Sequence, residues 1–133
     1  MNIRKPADYS TLFSKLDKLM AEQLPQMELY REIGRVVSGR SEKGAAVAAS
    51  EYLQAAYPAA EGFSPRNLRR MRAFYATYEE SPEIIRLAMN LGWTRNVAIL
   101  ERCGSSEERA WYIQAVLRFG WKKAKLLAAI ESQ

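Results

Sequence analysis

The residues best suited to chemistry lie in GFSPRNLRRMRAFYATY, residues 62–78, where four arginines fall between positions 66 and 72. Ser64 followed by a proline predicts the start of a helix, because a hydroxyl caps the first turn and proline fits its first position. At helical spacing, one face of this helix is basic and the opposite face is apolar. The basic side comprises Arg66, Arg69, Arg70, Ala73 and Thr77, flanked by Asn67 and Arg72, and the apolar side comprises Leu68, Met71, Phe74, Tyr75 and Tyr78.

The chemistry that such a basic face offers is recognition of DNA. Arginine can donate two hydrogen bonds to guanine, asparagine can pair with adenine, and the N–H groups at a helix N-terminus favour a phosphate. Arginines in a first turn oppose the helix dipole, so helix stability does not account for them. The sequence therefore predicts a helix that reads the major groove, with Arg66, Asn67, Arg69 and Arg70 in the groove. Two alternatives stay open, namely an acidic protein or RNA partner and a merely solvated surface.

Two smaller basic clusters could hold phosphates beside this helix. One precedes the third predicted helix, and the other lies at the C-terminal corner and contains Arg118, Lys122, Lys123 and Lys125. Each cluster alone is more typical of a solvated surface. The predicted DNA-binding residues are Arg40, Lys43, Ser64, Arg66, Asn67, Arg69, Arg70, Arg72, Lys122 and Lys123.

Residue types exclude most kinds of catalytic site. The chain has no histidine and a single cysteine, Cys103, so it cannot supply a His/Cys zinc site or a histidine general base. We find no phosphate-binding GxxxxGK[ST] loop, no GxGxxG and no acidic pair on a strand. The acidic pairs at 79–80 and 107–108 fall at helix ends and are typical of solvated surface. We therefore predict no catalytic residue, no metal and no cofactor, and a protein that is not an enzyme.

Composition predicts one globular domain over residues 1–133. Apolar residues make up 48% and charged residues 26%, and the net charge of +5 is moderate for a nucleic-acid partner. No apolar run reaches the ~20 residues that cross a bilayer, and the first ten residues lack the apolar stretch of a secretory signal. We expect a cytoplasmic protein with no membrane partner.

The periodicity of apolar residues predicts an all-α, compact domain of about seven or eight helices. Proline and glycine punctuate these helices, and a helix-turn-helix-like unit is expected at about 42–79, followed by a C-terminal helical part at about 82–131. An internal echo, LGWTRNVAIL at 91–100 and FGWKKAKLLAAI at 119–130, predicts two similar corners in which a glycine turns the chain and a tryptophan packs against the core. The expected helices begin near 10, 26, 41–42, 65, 82, 94, 105–106 and 122.

Several strings along the chain resemble the N-terminal domain of the YhcG family, long catalogued as a domain of unknown function. The similarity spans about residues 25–131, and the string at 62–75 is specific. The strings are YREIGR at 30–35, AAYP at 55–58, GFSPRNLRRMRAFY at 62–75, LGW at 91–93, ERAWYIQA at 108–115 and GWKKAKLLAAI at 120–130.

The resemblance implies a helical, helix-turn-helix-like or winged-helix DNA-binding module. In full-length relatives this module precedes a nuclease domain of the PD-(D/E)xK type, and the chain ends where that nuclease would begin. We therefore expect a stand-alone domain that binds duplex DNA, in a bacterial or mobile-element setting, with a separate nuclease or a host protein as a further partner and homodimerisation left open. The alternative is a protein-interaction module, such as a phage- or plasmid-encoded inhibitor of a host defence or nuclease system.

Overall fold

A computed structural model describes residues 7–42 and 44–132 of the chain. These residues form eight helices and no strand, which confirms the all-α prediction. No described helix is both long enough and apolar enough to span a bilayer. The helices are α1 (Ser10–Ala21), α2 (Gln26–Ser38), α3 (Gly44–Ala56), α4 (Pro65–Tyr78), α5 (Pro82–Ala88), α6 (Trp93–Arg102), α7 (Ser106–Phe119) and α8 (Lys123–Glu131).

Most helix ends follow from local chemistry. The Ser64 hydroxyl accepts a hydrogen bond of 3.1 Å from the backbone N–H of Asn67, and Ser105 caps α7 in the same way. Gly62 and Gly120 adopt positive φ angles of 92° and 66°, as turns of this kind require. The main departure is α3, which begins at Gly44 rather than at residue 41 or 42.

The late start of α3 has a tertiary cause. Arg72 of α4 donates hydrogen bonds to the backbone carbonyls of Arg40 and Glu42, and the Arg40 guanidinium pairs with the Glu42 carboxylate. The Glu42 carbonyl also accepts a hydrogen bond of 3.3 Å from the Ala45 N–H, so it is shared between Arg72 and the first turn of α3. The segment before α3 is thus held as a loop against α4.

Helices α2 and α4 form the tightest pair in the fold. An ideal Cβ on Gly34 would lie 2.2 Å from the carbonyl oxygen of Met71, far inside contact distance. Glycine at position 34 therefore lets the two helix backbones approach more closely than any side chain would allow. This approach sets the position of α4 and of the arginines that it carries.

The buried residues form two clusters that meet at Trp93. The half-buried indole of Trp93 packs against both clusters, so it joins the N-terminal and C-terminal halves of the core. Leu68 and Met71 of α4 belong to the first cluster, and Phe74 and Tyr78 belong to the second. Helix α4 therefore runs through both halves with its apolar face buried, as its periodicity predicts.

Polar side chains tie the two tryptophan corners together. Arg95 of α6 donates to the carbonyl of Leu91 at 2.7 Å and to the carbonyl of Trp121 at 2.9 Å. The fully buried Asn96 donates to the carbonyls of Ala88 and Gly92. The repeated corners thus lie next to each other, with α6 as the element that joins them.

Candidate nucleic-acid interface

Arg66 and Arg69 form the exposed centre of the basic face of α4. Both side chains are exposed, and neither has an ion-pair or hydrogen-bond partner among residues 7–42 and 44–132. They lie three positions apart, so their Cβ atoms are about 5–6 Å from each other on one side of the helix. Two guanidinium groups with all their donors available therefore stand at the start of α4.

Arg70 is on the same face but is already paired. Its guanidinium lies 2.6 Å from the Glu101 carboxylate of α6, and the Arg70 side chain is only 28% exposed. The ion pair fixes the Arg70 side chain across the α4–α6 contact and cancels its charge at close range. Arg70 can still present its remaining N–H groups, but a phosphate there would compete with Glu101.

Arg72 and Arg40 are structural in this fold. Arg72 is half-buried and caps the carbonyls that precede α3, as described above. Arg40 pairs with Glu42, donates to the Asp8 carbonyl at 3.0 Å, and lies 4.7 Å above the centre of the Tyr9 ring. Both guanidinium groups are therefore occupied, unlike those of Arg66 and Arg69. Lys43, the other predicted residue of this segment, lies outside the described residues.

Asn67 is held on both sides of its amide group. Its Nδ2 donates to the Gly62 carbonyl at 2.7 Å, and its Oδ1 accepts from the Trp93 indole N–H at 2.8 Å. Asn67 could form two hydrogen bonds to an adenine base only if these two bonds were broken. Ser64 is exposed, and its hydroxyl caps the backbone N–H of the same asparagine. Both residues therefore shape the start of α4 in the present geometry.

A cleft between α4, α6 and α8 extends the basic surface. Its volume is about 240 Å³, and its walls include Arg70, Arg102 and Lys123 with Asn67 and Trp93 at the α4 end. Lys123 is a predicted residue, and the structure brings it to α4 from a position more than fifty residues later in the chain. Arg102 was not predicted, because a charged residue in the last turn of a helix is typical of solvated surface. Only the packing of α6 on α4 reveals it.

Lys122 is exposed at the N-cap of α8 and does not line this cleft. The aromatic contact in this segment belongs to Lys125, whose ammonium lies 6.0 Å from the ring centre of Trp121. Lys122 and Lys123 thus belong to the same predicted cluster, but of the two only Lys123 lines the cleft.

Acidic side chains do not assemble into a metal centre in the part of the chain that the structure describes. Residues 7–42 and 44–132 contain no group of three or more His, Cys, Asp or Glu side chains able to hold an ion. Glu101 is one of the residues that line the cleft, and its carboxylate is paired with Arg70. The candidate site is therefore cationic, with Arg66, Arg69, Arg102 and Lys123 as its exposed charges.

The eight helices and this cationic surface define a small all-α domain with one basic helix face. The chain belongs to the DUF1016 N-terminal domain family, whose model matches residues 15–133. This is the N-terminal domain of the YhcG-like family, so the resemblance found in the sequence is confirmed. No curated protein matches the chain. No solved structure matches it either.

Three of the six strings that carry the family resemblance, YREIGR, GFSPRNLRRMRAFY and LGW, meet at one corner of the fold. Tyr30 of YREIGR contacts both Phe63 and Trp93 edge to face, with ring centres 6.4 Å and 5.0 Å apart. The Tyr30 hydroxyl also lies where a Cβ on Gly62 would be, 2.1 Å from the ideal position. Together with Asn67, these residues close the loop before α4. The residues of these strings that meet here therefore serve packing, and the exposed Arg66 and Arg69 lie beside them.

Proposed function

We propose that this domain binds duplex DNA through the exposed face of α4. The observation that carries the proposal is the pair Arg66 and Arg69, whose guanidinium groups are exposed and unpaired among the described residues. Arginine is the commonest reader of guanine in the major groove, and the first turns of a recognition helix supply most of its base contacts. Arg66 and Arg69 occupy those turns.

The rest of the exposed α4 face has side chains small enough for the major groove of DNA to approach closely. Ala73 and Ala76 follow the arginines on the exposed side, and Val47 of α3 stands across a shallow groove from them. Small apolar side chains allow the helix backbone to come near the bases, and they can contact a thymine methyl group. Helices α3 and α4 are joined by residues 57–64, a longer connector than the three or four residues of a helix-turn-helix.

The cleft between α4, α6 and α8 would bind the phosphates of the DNA backbone. Arg102 and Lys123 line it without an ion-pair partner among the described residues, and Arg70 of α4 lines the same cleft. Contacts to phosphate position a protein on DNA and carry no sequence information. We assign Arg102 and Lys123 to this anchoring role and Asn67 to the support of α4.

The test is a titration of a fluorescently labelled duplex of random sequence at several salt concentrations. We expect Arg66→Ala plus Arg69→Ala to weaken binding at least tenfold. Each phosphate contact contributes about −0.9 to the slope of log affinity against log salt, so the anchoring pair Arg102 and Lys123 should contribute about −2 to that slope. A matched control separates specific contacts from simple net charge: Arg31→Ala plus Arg86→Ala removes two charges from the groove between α2 and α5.

Equal weakening in both double variants would mean that net charge, rather than the α4 face, attracts DNA. Absence of binding to any duplex would overturn the proposal and favour the alternative of a protein-interaction module. Circular dichroism spectra of both variants should match the parent, because all four side chains are removed from the surface or its edge.

A further inference from the structure

Helix α7 carries three of the four large apolar side chains that are exposed in the described part of the chain. Trp111 is 56% exposed, Phe119 57% and Leu117 40%. The half-buried Trp121 extends this patch, with its ring centre 6.4 Å from that of Trp111 and 5.5 Å from that of Phe119. A contiguous apolar patch with a polar rim marks a surface that another molecule covers.

The charges along α7 are arranged in a self-complementary way. At 3.6 residues per turn, positions 107, 111, 114 and 118 form one straight stripe, and all four side chains are exposed. The stripe has an acid, Glu107, at its start and a base, Arg118, at its end, with Trp111 and Gln114 between. Neither Glu107 nor Arg118 has an ion-pair partner among the described residues.

We propose that α7 is the contact surface for a second copy of this chain, in an antiparallel pair related by a twofold axis. With the axis at the middle of the stripe, Glu107 of each copy faces Arg118 of the other, and Trp111 faces Gln114. Each contact then occurs twice, as an isologous interface requires. Leu117 and Phe119 lie on the two sides of the stripe and widen the buried area. The pairing is independent of the proposed DNA face on α4.

Charge favours a second copy over a nucleic acid as the occupant of this surface. Glu107 and Glu108 line one side of the Trp111 ring, where a phosphate would be repelled. Arg118 lies over the Phe119 ring at 5.4 Å, at the other end of the helix. A partner that presents a base where the first copy presents an acid, and the reverse, satisfies both ends, and an antiparallel copy of α7 does so by symmetry.

The test is sedimentation velocity of the protein without nucleic acid, over a concentration series from about 1 μM to 500 μM. Two 14-residue helices bury less than the roughly 1,600 Å² of a standard interface, so we expect a reversible dimer within this range. Glu107→Arg or Arg118→Glu alone should raise the dimer dissociation constant at least tenfold, because each change places like charges together twice. The double variant Glu107→Arg plus Arg118→Glu should restore the parent value.

The control is Glu51→Arg on the exposed side of α3, which makes the same charge change away from α7 and should leave the dissociation constant unchanged. A protein that stays monomeric throughout the series overturns the proposal. So does a dimer that the single reversals leave intact, because the contact must then lie elsewhere. A monomer whose Trp111 fluorescence is quenched by oligothymidine would reassign the patch to single-stranded nucleic acid. Duplex binding by α4 can succeed or fail in any of these cases.

Discussion

The indole N–H of Trp93 donates a hydrogen bond of 2.8 Å to the side-chain oxygen of Asn67, and this bond joins α6 to the first turn of α4. The same asparagine donates to the Gly62 carbonyl on its other side. Asn67 therefore links the loop before α4, the helix itself and the tryptophan that bridges both halves of the core. The orientation of Arg66 and Arg69 depends on this link.

We expect Asn67→Ala to lower the free energy of unfolding by about 1–3 kcal/mol, since it breaks one partly buried and one exposed hydrogen bond of about 0.5–1.5 kcal/mol each. Trp93→Phe keeps an aromatic ring but removes the donor. Chemical denaturation of both single variants and the double variant should give a coupling of about 1 kcal/mol between Asn67 and Trp93. The control Asn90→Ala breaks one exposed bond, to the Arg86 carbonyl, and should change stability by less than about 0.5 kcal/mol. Strictly additive single effects would show that the Asn67–Trp93 bond contributes nothing.

The contact between α2 and α4 gives a second prediction. A methyl group at position 34 would overlap the Met71 carbonyl, so Gly34→Ala must push the two helices apart. We expect a loss of about 3 kcal/mol in the free energy of unfolding, at the upper end of the usual range for overpacking. Gly104→Ala is the matched control, because a Cβ there meets nothing within 4 Å and its φ is not positive. Equal denaturation midpoints for the two variants would contradict this account of the helix contact.

A carboxylate between α1 and α3 gives a third prediction, on pH dependence. The hydroxyl groups of Tyr52 and Tyr57 donate hydrogen bonds of 2.6 Å and 2.7 Å to the two oxygens of Asp17. These bonds favour the charged carboxylate and hold the pKa of Asp17 below its ordinary value of 3.8. The bond to Asp17 also raises the pKa of Tyr57 to about 12.

Because the pKa of Asp17 is lower in the folded state, its contribution to stability is complete above about pH 4 and is lost as the pH falls through the folded value. Tyr52→Phe plus Tyr57→Phe should therefore be less stable than the parent at pH 7, with the difference shrinking below pH 4. Thermal unfolding from pH 7 to pH 2 measures this, and an NMR titration of the Asp17 carboxyl carbon measures the pKa directly. A constant gap in melting temperature down to pH 2 would show that ring packing, not the hydrogen bonds, causes the difference.

A helical wheel of α4 predicts which side chains are exposed, but it does not predict which of them have partners from other helices. The wheel correctly separates the buried Leu68 and Met71 from the exposed Arg66 and Arg69, because side-chain direction within one helix depends on spacing alone. It treats Arg70 as equivalent to Arg69, yet Arg70 is paired. Glu101 is 31 residues away in sequence, and only the packing of α6 on α4 brings the two charges together.

By itself the sequence determined the helical class, the boundaries of most helices, the Ser64 cap and the family of the chain. Each of these depends on residues within a few turns of one another, or on motif strings that can be compared directly. Tertiary structure decided which arginines are available. Arg70 and Arg72 have partners in α6 and in the segment before α3, whereas Arg66 and Arg69 stay exposed. The packing also places Arg102 and Lys123 in one cleft with Arg70. The reason is physical: whether a guanidinium can meet a ligand depends on which distant acids and carbonyls the packed helices place within its reach.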